Sequence, residues 1–252
     1  MKTRFYILIL IHLLVGILSA EAQYDRRSVD RFNLFIPGGE GSYGVFADVV
    51  GKLKDKRSQF KSDTYFLEHM FYFVHRKMLG SYEQYVPFSA IFTDEQKYDC
   101  VTGSILYALI LEELDVKYEV KESDFHVYIL AFLDDKEYLL ETTDPLHGFA
   151  KSDEEIAFRK RQISEDAHRF NARITMEGLG ADKVNMQQIN IIDNSVNLIQ
   201  LSGLHYYNQA LDRFNRKEYR DALKLAEMAA KRYPSDRIMN AGSLIYSVAI
   251  GD

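Results

Sequence analysis

The chain predicts an α+β fold: a buried helix set against antiparallel strands, followed by a C-terminal α-helical region. Three observations carry this expectation. The segment YDCVTGSILYALILEEL (residues 98–114) has no charge from Val101 until Glu112, so a helix there is apolar all round and has to be buried. Two runs rich in β-branched and aromatic residues, FHVYILAFL (125–133) and EYLLETT (137–143), follow at once and are joined by Asp134-Asp135-Lys136 in the manner of a hairpin. A helix followed by antiparallel strands makes a layered arrangement. Beyond residue 196 apolar residues recur at helical spacing to the end of the chain.

The first 22 residues place Lys2 and Arg4 ahead of an apolar run from Phe5 to Leu18, and Ala20-Glu21-Ala22 follows. That pattern is a secretory signal peptide cleaved before Gln23, which predicts an exported, periplasmic or extracellular protein. The run is too short for a comfortable anchor, so no membrane span is expected in the mature chain. The next stretch, RFNLFIPGGEGSYG, has glycines at 38, 39, 41 and 44 but lacks the Lys-Ser/Thr end of a phosphate loop, and reads as a turn-rich loop. Residues 45–79 read as two helices, VFADVVGKLKDKR and TYFLEHMFYFVHRKML, the second with a wide apolar face. A long aromatic-rich connection then delivers the chain to Cys100.

After the strands, DPLHG closes a turn. Residues 151–195 read as a connection made of a charged helix, SDEEIAFRKRQISEDAHRF, and a loop, NARITMEGLGADKVN. In the region 196–252, Tyr206, Ala210, Ala222, Ala229 and Pro234 fall at the offsets of one tetratricopeptide unit, which the segment resembles. One unit and the start of another cannot bury their own faces, so this region is expected to pack on the remainder of the chain or on a protein partner.

The composition limits what the chain can do. At 47% hydrophobic residues in 252 positions it can bury one or two cores. With 31 basic against 37 acidic residues and a net charge of −6, neither nucleic acid nor an anionic membrane surface is an expected partner. Residues 23–150 form the expected cysteine domain.

Cys100 is the sole cysteine. Oxidising compartments use cysteines in pairs, so a lone one signals a reactive thiol or an intermolecular bridge. At the first turn of a helix it meets unsatisfied N–H groups and the positive end of the macrodipole, both of which favour the thiolate. Asp99 is the expected N-cap, and its carboxylate opposes that effect, so a cationic neighbour is needed. His126 on the following strand is the candidate, with Glu141 or Asp144 to orient its ring. A cysteine, a histidine and an acid brought together make a nucleophile and its general base. The competing reading is a small buried thiol beside a core histidine. His147, His168 and His205 lack ligand spacing, and neither a metal nor a cofactor is implied.

The segment from Tyr98 to Phe149 resembles the core of the transglutaminase-like superfamily. The likeness lies in the helix-start Cys100, the following passage through Leu111, Leu114, Asp115, Val116 and Tyr118, the strand histidine His126, and a strand acid. The resemblance implies that Cys100 is the nucleophile and His126 the base of a papain-like site. For the acid, the spacing from His126 fits Glu141, whereas TDPLHG resembles the Asp-Pro turn that often carries it and tips the choice slightly to Asp144. The two differ by an odd number of positions and so face opposite sides of a regular strand. The backbone N–H of Cys100, with Gln84 or Gln96, would receive an oxyanion. The expectation is an exported cysteine-dependent acyl-transfer enzyme acting on a peptide or protein substrate, either a peptidase or amidase or a transglutaminase. Its alternative is a catalytically inactive transglutaminase-like protein that serves as a peptide- or protein-binding module.

Overall fold

A computed structural model describes residues 26–123, 126–178 and 193–251. The expected signal peptide, residues 1–22, lies outside the described residues. The amino-terminal half is helical: α1 (residues 26–33), α2 (Glu40–Arg57) and α3 (Asp63–Met78) precede a short 3-10 turn at Phe88–Phe92 and the central helix α4 (Cys100–Glu113). The glycine-rich stretch expected to be a loop is partly helix, since Gly41 and Gly44 lie in the first turns of α2. The buried face formed by Phe46, Val49, Val50 and Leu53 drives this helix and outweighs the local cost of glycine. Gly38, at φ 70°, makes the left-handed turn that precedes it.

The sheet follows as β1 (Lys117–Ser123), β2 (Val127–Leu133), β3 (Lys136–Leu140) and the short β4 (Phe149–Ala150). After α5 (Asp153–Gly178) the chain returns as β5 (Asp193–Val196). The order across the sheet is β4-β3-β2-β1-β5, with every neighbouring pair antiparallel. β2 and β3 form the expected hairpin, with a two-residue loop because Leu133 pairs with Lys136. Asp134 and Asp135 have φ of 47° and 61°, the left-handed pair that matches the twist of such a hairpin. α5 runs past the end expected for it, as residues 170–177 contain neither proline nor glycine to stop it.

Alternation along β2 divides the interior in two. Val127, Ile129 and Ala131 join the main core with α3 and α4, while Tyr128 and Leu130 pack with Leu139, Ala150 and Ile156 beneath α5. The sheet is therefore covered on both faces, by α4 on one and α5 on the other. Within the main core Tyr107 is fully buried, and its hydroxyl donates to the carbonyl of Phe71 at 2.7 Å. That bond satisfies a polar group that burial would otherwise penalise.

The remaining chain forms α6 (Leu198–Asn215), α7 (Tyr219–Arg232) and α8 (Asp236–Gly251). Small residues let α6 and α7 approach closely, and a Cβ added at Gly203 would lie 2.6 Å from that of Tyr233. The helices do pack on the amino-terminal core. The Phe88 N–H donates to Nε2 of the buried His205 at 2.9 Å, and burial, aided by Arg232, lowers the pKa of this histidine to about 3. On the sheet side Glu122, 1% exposed, accepts from Arg237 Nη2 at 2.5 Å and from the Tyr233 hydroxyl at 2.6 Å. Among the described residues no helix is long and apolar enough to cross a membrane.

Candidate active site

Cys100 begins α4, and the helix is fixed at that point by a reciprocal cap. The Thr102 N–H donates to Asp99 Oδ1 at 2.8 Å, and the Asp99 N–H donates to Thr102 Oγ1 at 2.8 Å. The first-turn N–H groups lack intrahelical acceptors, so the sulfur sits in a donor-rich setting. Asp99 is almost wholly buried. Burial pushes its carboxyl upward, against the hydrogen bonds from Thr102 and from the backbone of Tyr85 and Val101 that pull it down.

A carboxyl with a raised pKa costs the fold stability as pH rises through its ordinary value of 3.8. Asp99→Asn keeps an N-cap side chain and removes that cost. At neutral pH it is expected to melt no lower than the native protein, whereas Asp99→Ala should lose about 1 kcal/mol with the cap. Thermal melts of both variants against pH check this.

His126 lies immediately before β2, where its carbonyl accepts from the Ser123 N–H at 2.8 Å. Its Nε2 meets Glu141 Oε2 at 2.5 Å, and Cys100, which lines the same cavity, acts on the ring to raise its pKa. The register explains why Glu141 is the carboxylate that meets His126. Leu140 pairs with Ile129, so one further step sets Glu141 opposite Tyr128, on the same face as His126 two residues away. The second carboxylate oxygen of Glu141 is held by Thr143, whose N–H and Oγ1 donate to it at 3.0 and 2.7 Å.

Electrostatics follow from this arrangement. Desolvation pulls the His126 pKa down, but the charge of Glu141, the neighbouring Cys100 and the hydrogen bond that the ring donates to Glu141 outweigh it and raise the pKa well above 6.5. Burial acts to raise the pKa of Glu141, and the charge and hydrogen bond of His126 with the donors of Thr143 reverse this and lower it below 4.5. The pair is therefore held as imidazolium and carboxylate.

Asp144 does not reach His126, which corrects the choice that the Asp-Pro turn suggested. Its Oδ1 accepts from the N–H groups of Leu146 and His147 at 3.1 and 2.9 Å, and its Oδ2 accepts from Arg159 Nη2 at 2.9 Å. The strand has ended by this point, so Asp144 closes the turn and tethers α5 instead. Gln96 is also displaced from its expected role, because its side chain donates to the Lys77 carbonyl at 2.7 Å. Gln84 does line the cavity.

The three residues open on one cavity of about 730 Å³, a size that encloses a drug-sized ligand or a short peptide segment. Tyr82 borders it and packs edge-on against Tyr98 with ring centroids 5.9 Å apart. Desolvation, followed by the charges of Cys100, Asp99 and Glu141, raises the Tyr82 pKa, so its hydroxyl keeps its proton. Tyr82, Thr143 and the helical residues on the far walls carried no motif in the sequence. His147 and His205 sit in different parts of the fold, and the side chain of His168 lies outside the described residues. Among the described residues no three His, Cys, Asp or Glu side chains gather as they would around a metal ion. No family model, curated protein or solved structure matches the chain.

Proposed function

We propose that the protein is an exported cysteine-dependent acyl-transfer enzyme with a transglutaminase-like core, using Cys100 as nucleophile, His126 as general base and Glu141 to orient and charge the imidazole. The observation that carries this reading is the convergence of Cys100, His126 and Glu141 on the edge of one cavity, with His126 bonded to Glu141 and its charged form favoured by both neighbours. Export rests on the pattern of residues 1–22. The C-terminal helices would be a tetratricopeptide-like unit.

In the proposed cycle the Cys100 sulfur attacks a substrate carbonyl while its proton resides on His126. The tetrahedral oxyanion receives hydrogen bonds from the Cys100 N–H and a second donor, for which Gln84 and the Tyr82 hydroxyl border the cavity. The C–N bond breaks as His126 returns the proton to the departing amine, leaving a thioester. Water or a second amine then attacks this thioester, with His126 as base, and the thiol is restored. Water gives peptidase or amidase activity, and an amine gives transamidation.

The deciding experiment is the rate of iodoacetamide alkylation of Cys100 against pH in the native protein and in His126→Ala. A cysteine–histidine pair predicts a reactive thiol on the acid side of neutrality whose profile moves to higher pH in the variant. An alkylation profile that ignores His126 would sink the reading. The second reading is a catalytically inactive binding module, and the helical wall of the same cavity favours it. In that case Cys100→Ala would bind its peptide or protein partner unchanged.

A further inference from the structure

Two helices present matched stripes to the cavity. From α5, Arg159, Gln162, Ile163 and Asp166 line it, and from α6, Leu204, Tyr207, Asn208 and Leu211 do so. Each set has the spacing i, i+3, i+4, i+7 of a single helical face, so Cys100 and His126 lie between two helix walls. The walls differ in character. α5 offers a guanidinium, an amide and a carboxylate around Ile163, while α6 offers two leucines and an aromatic ring beside one amide.

The α6 wall is also braced. The Arg237 guanidinium lies over the Tyr207 ring, 5.3 Å from its centroid, and is held there by its ion pair with the buried Glu122. Both arginines that line the cavity are engaged by acids, Arg159 with Asp144 and Arg237 with Glu122. Asp99, Glu141 and Asp166 line it too, so the site is a poor one for an anionic group. Asn208, with a donor and an acceptor on one side chain, suits the backbone amide of an extended chain.

We propose that the stripe Leu204, Tyr207, Asn208 and Leu211 is the specificity wall of this cleft, selecting a peptide acyl donor with a large apolar residue beside the reacting one. The inference rests on the acyl-transfer reading of Cys100. It gives the C-terminal helices a direct part in substrate choice.

Three chloromethyl ketones test it: acetyl-Phe-Gly, acetyl-Glu-Gly and acetyl-Lys-Gly. All three have glycine at the reacting carbonyl. In each the Cys100 sulfur displaces chloride, forming an S–C bond as the C–Cl bond breaks and chloride leaves with the bonding pair. Inactivation rates, each normalised to iodoacetamide, are measured for the native full chain and for Tyr207→Ala and Leu211→Glu. Both positions are half-buried, and melting curves verify that the variants fold.

The expected native preference for the Phe probe over the Glu probe is roughly ten-fold or more, collapsing toward unity in both variants. Equal native rates, or a preference that persists in both variants, would overturn the inference. So would a fastest Lys probe whose rate neither variant changes, since the acids would then do the selecting. His126→Ala separates the two levels. If thiol reactivity depends on His126 but no Phe preference exists, the wall is wrong and the acyl-transfer reading stands. If reactivity ignores His126 while the preference exists and collapses in the variants, the wall stands as a peptide-binding surface and the catalytic reading falls.

Discussion

Glu141→Gln is expected to slow Cys100 alkylation near neutral pH by a factor on the order of 10², the contribution of a positioned acid–base partner, while Asp144→Asn leaves the pH profile in place. His126 is held cationic against its own desolvation chiefly by the charge of Glu141. An amide of the same shape keeps a hydrogen bond and removes the charge, so desolvation prevails and the imidazole loses its proton at lower pH. Asp144 contacts Leu146, His147 and Arg159, and its removal loosens a turn without touching the imidazole. The same pair fixes a stability window. A histidine with a raised pKa stabilises the fold fully below 6.5 and loses that contribution as pH climbs toward its folded value. A carboxyl with a lowered pKa stabilises it above 4.5 and loses that contribution on acidification. The stability gap between the native protein and Glu141→Gln should therefore be widest between pH 4.5 and 6.5, which chemical denaturation across pH measures. A gap that is flat with pH would contradict the ion pair.

Gly148→Ala should be the most damaging conservative substitution near the site. A Cβ there would lie 2.2 Å from the Glu141 carbonyl oxygen, 2.5 Å from that of Asp144 and 2.7 Å from Phe71 Cζ. Two of the three obstacles are backbone and cannot swing aside. The Gly148 carbonyl also accepts from the Glu141 N–H at 2.7 Å, so any relief of the clash moves Glu141 itself. A loss of about 1–3 kcal/mol is expected from overpacking, seen as a melting shift of about 2–4 °C per kcal/mol for a chain of this size. Thiol reactivity should fall with it, because the carboxylate leaves the imidazole. A variant with native melting and native alkylation would show that the turn can relax, contrary to this packing.

The central helix, the hairpin and the C-terminal helices were legible because burial imposes period and composition: α4 lacks charge along its middle, and β2 and β3 carry branched and aromatic side chains. β1 was harder to see. Its sequence KYEVKES looks like a polar linker, and it is a strand because β2 and β5 pair with both of its edges. For the site, parity restricted the acid to one of two residues, but choosing between Glu141 and Asp144 required knowing where β3 ends and the turn begins. The α5 and α6 stripes were out of reach for another reason. Leu204 and Leu211 look like ordinary core positions of an amphipathic helix, and only the packing of α6 on α4 turns that face toward Cys100.

β5 has a consequence for handling the protein. It caps the outer edge of β1 through Val120, Lys121, Glu122 and Ser123, while the opposite margin of the sheet is the two-residue β4, too short to recruit another strand. An unpaired edge is a template for pairing with other chains. A fragment ended ahead of Asp193, the natural choice for isolating the cysteine core, would uncover β1 and strip Arg237 and Tyr233 from the buried Glu122. Such a fragment should self-associate in solution and give little soluble protein, so the helical tail acts as a solubility element for the sheet it borders.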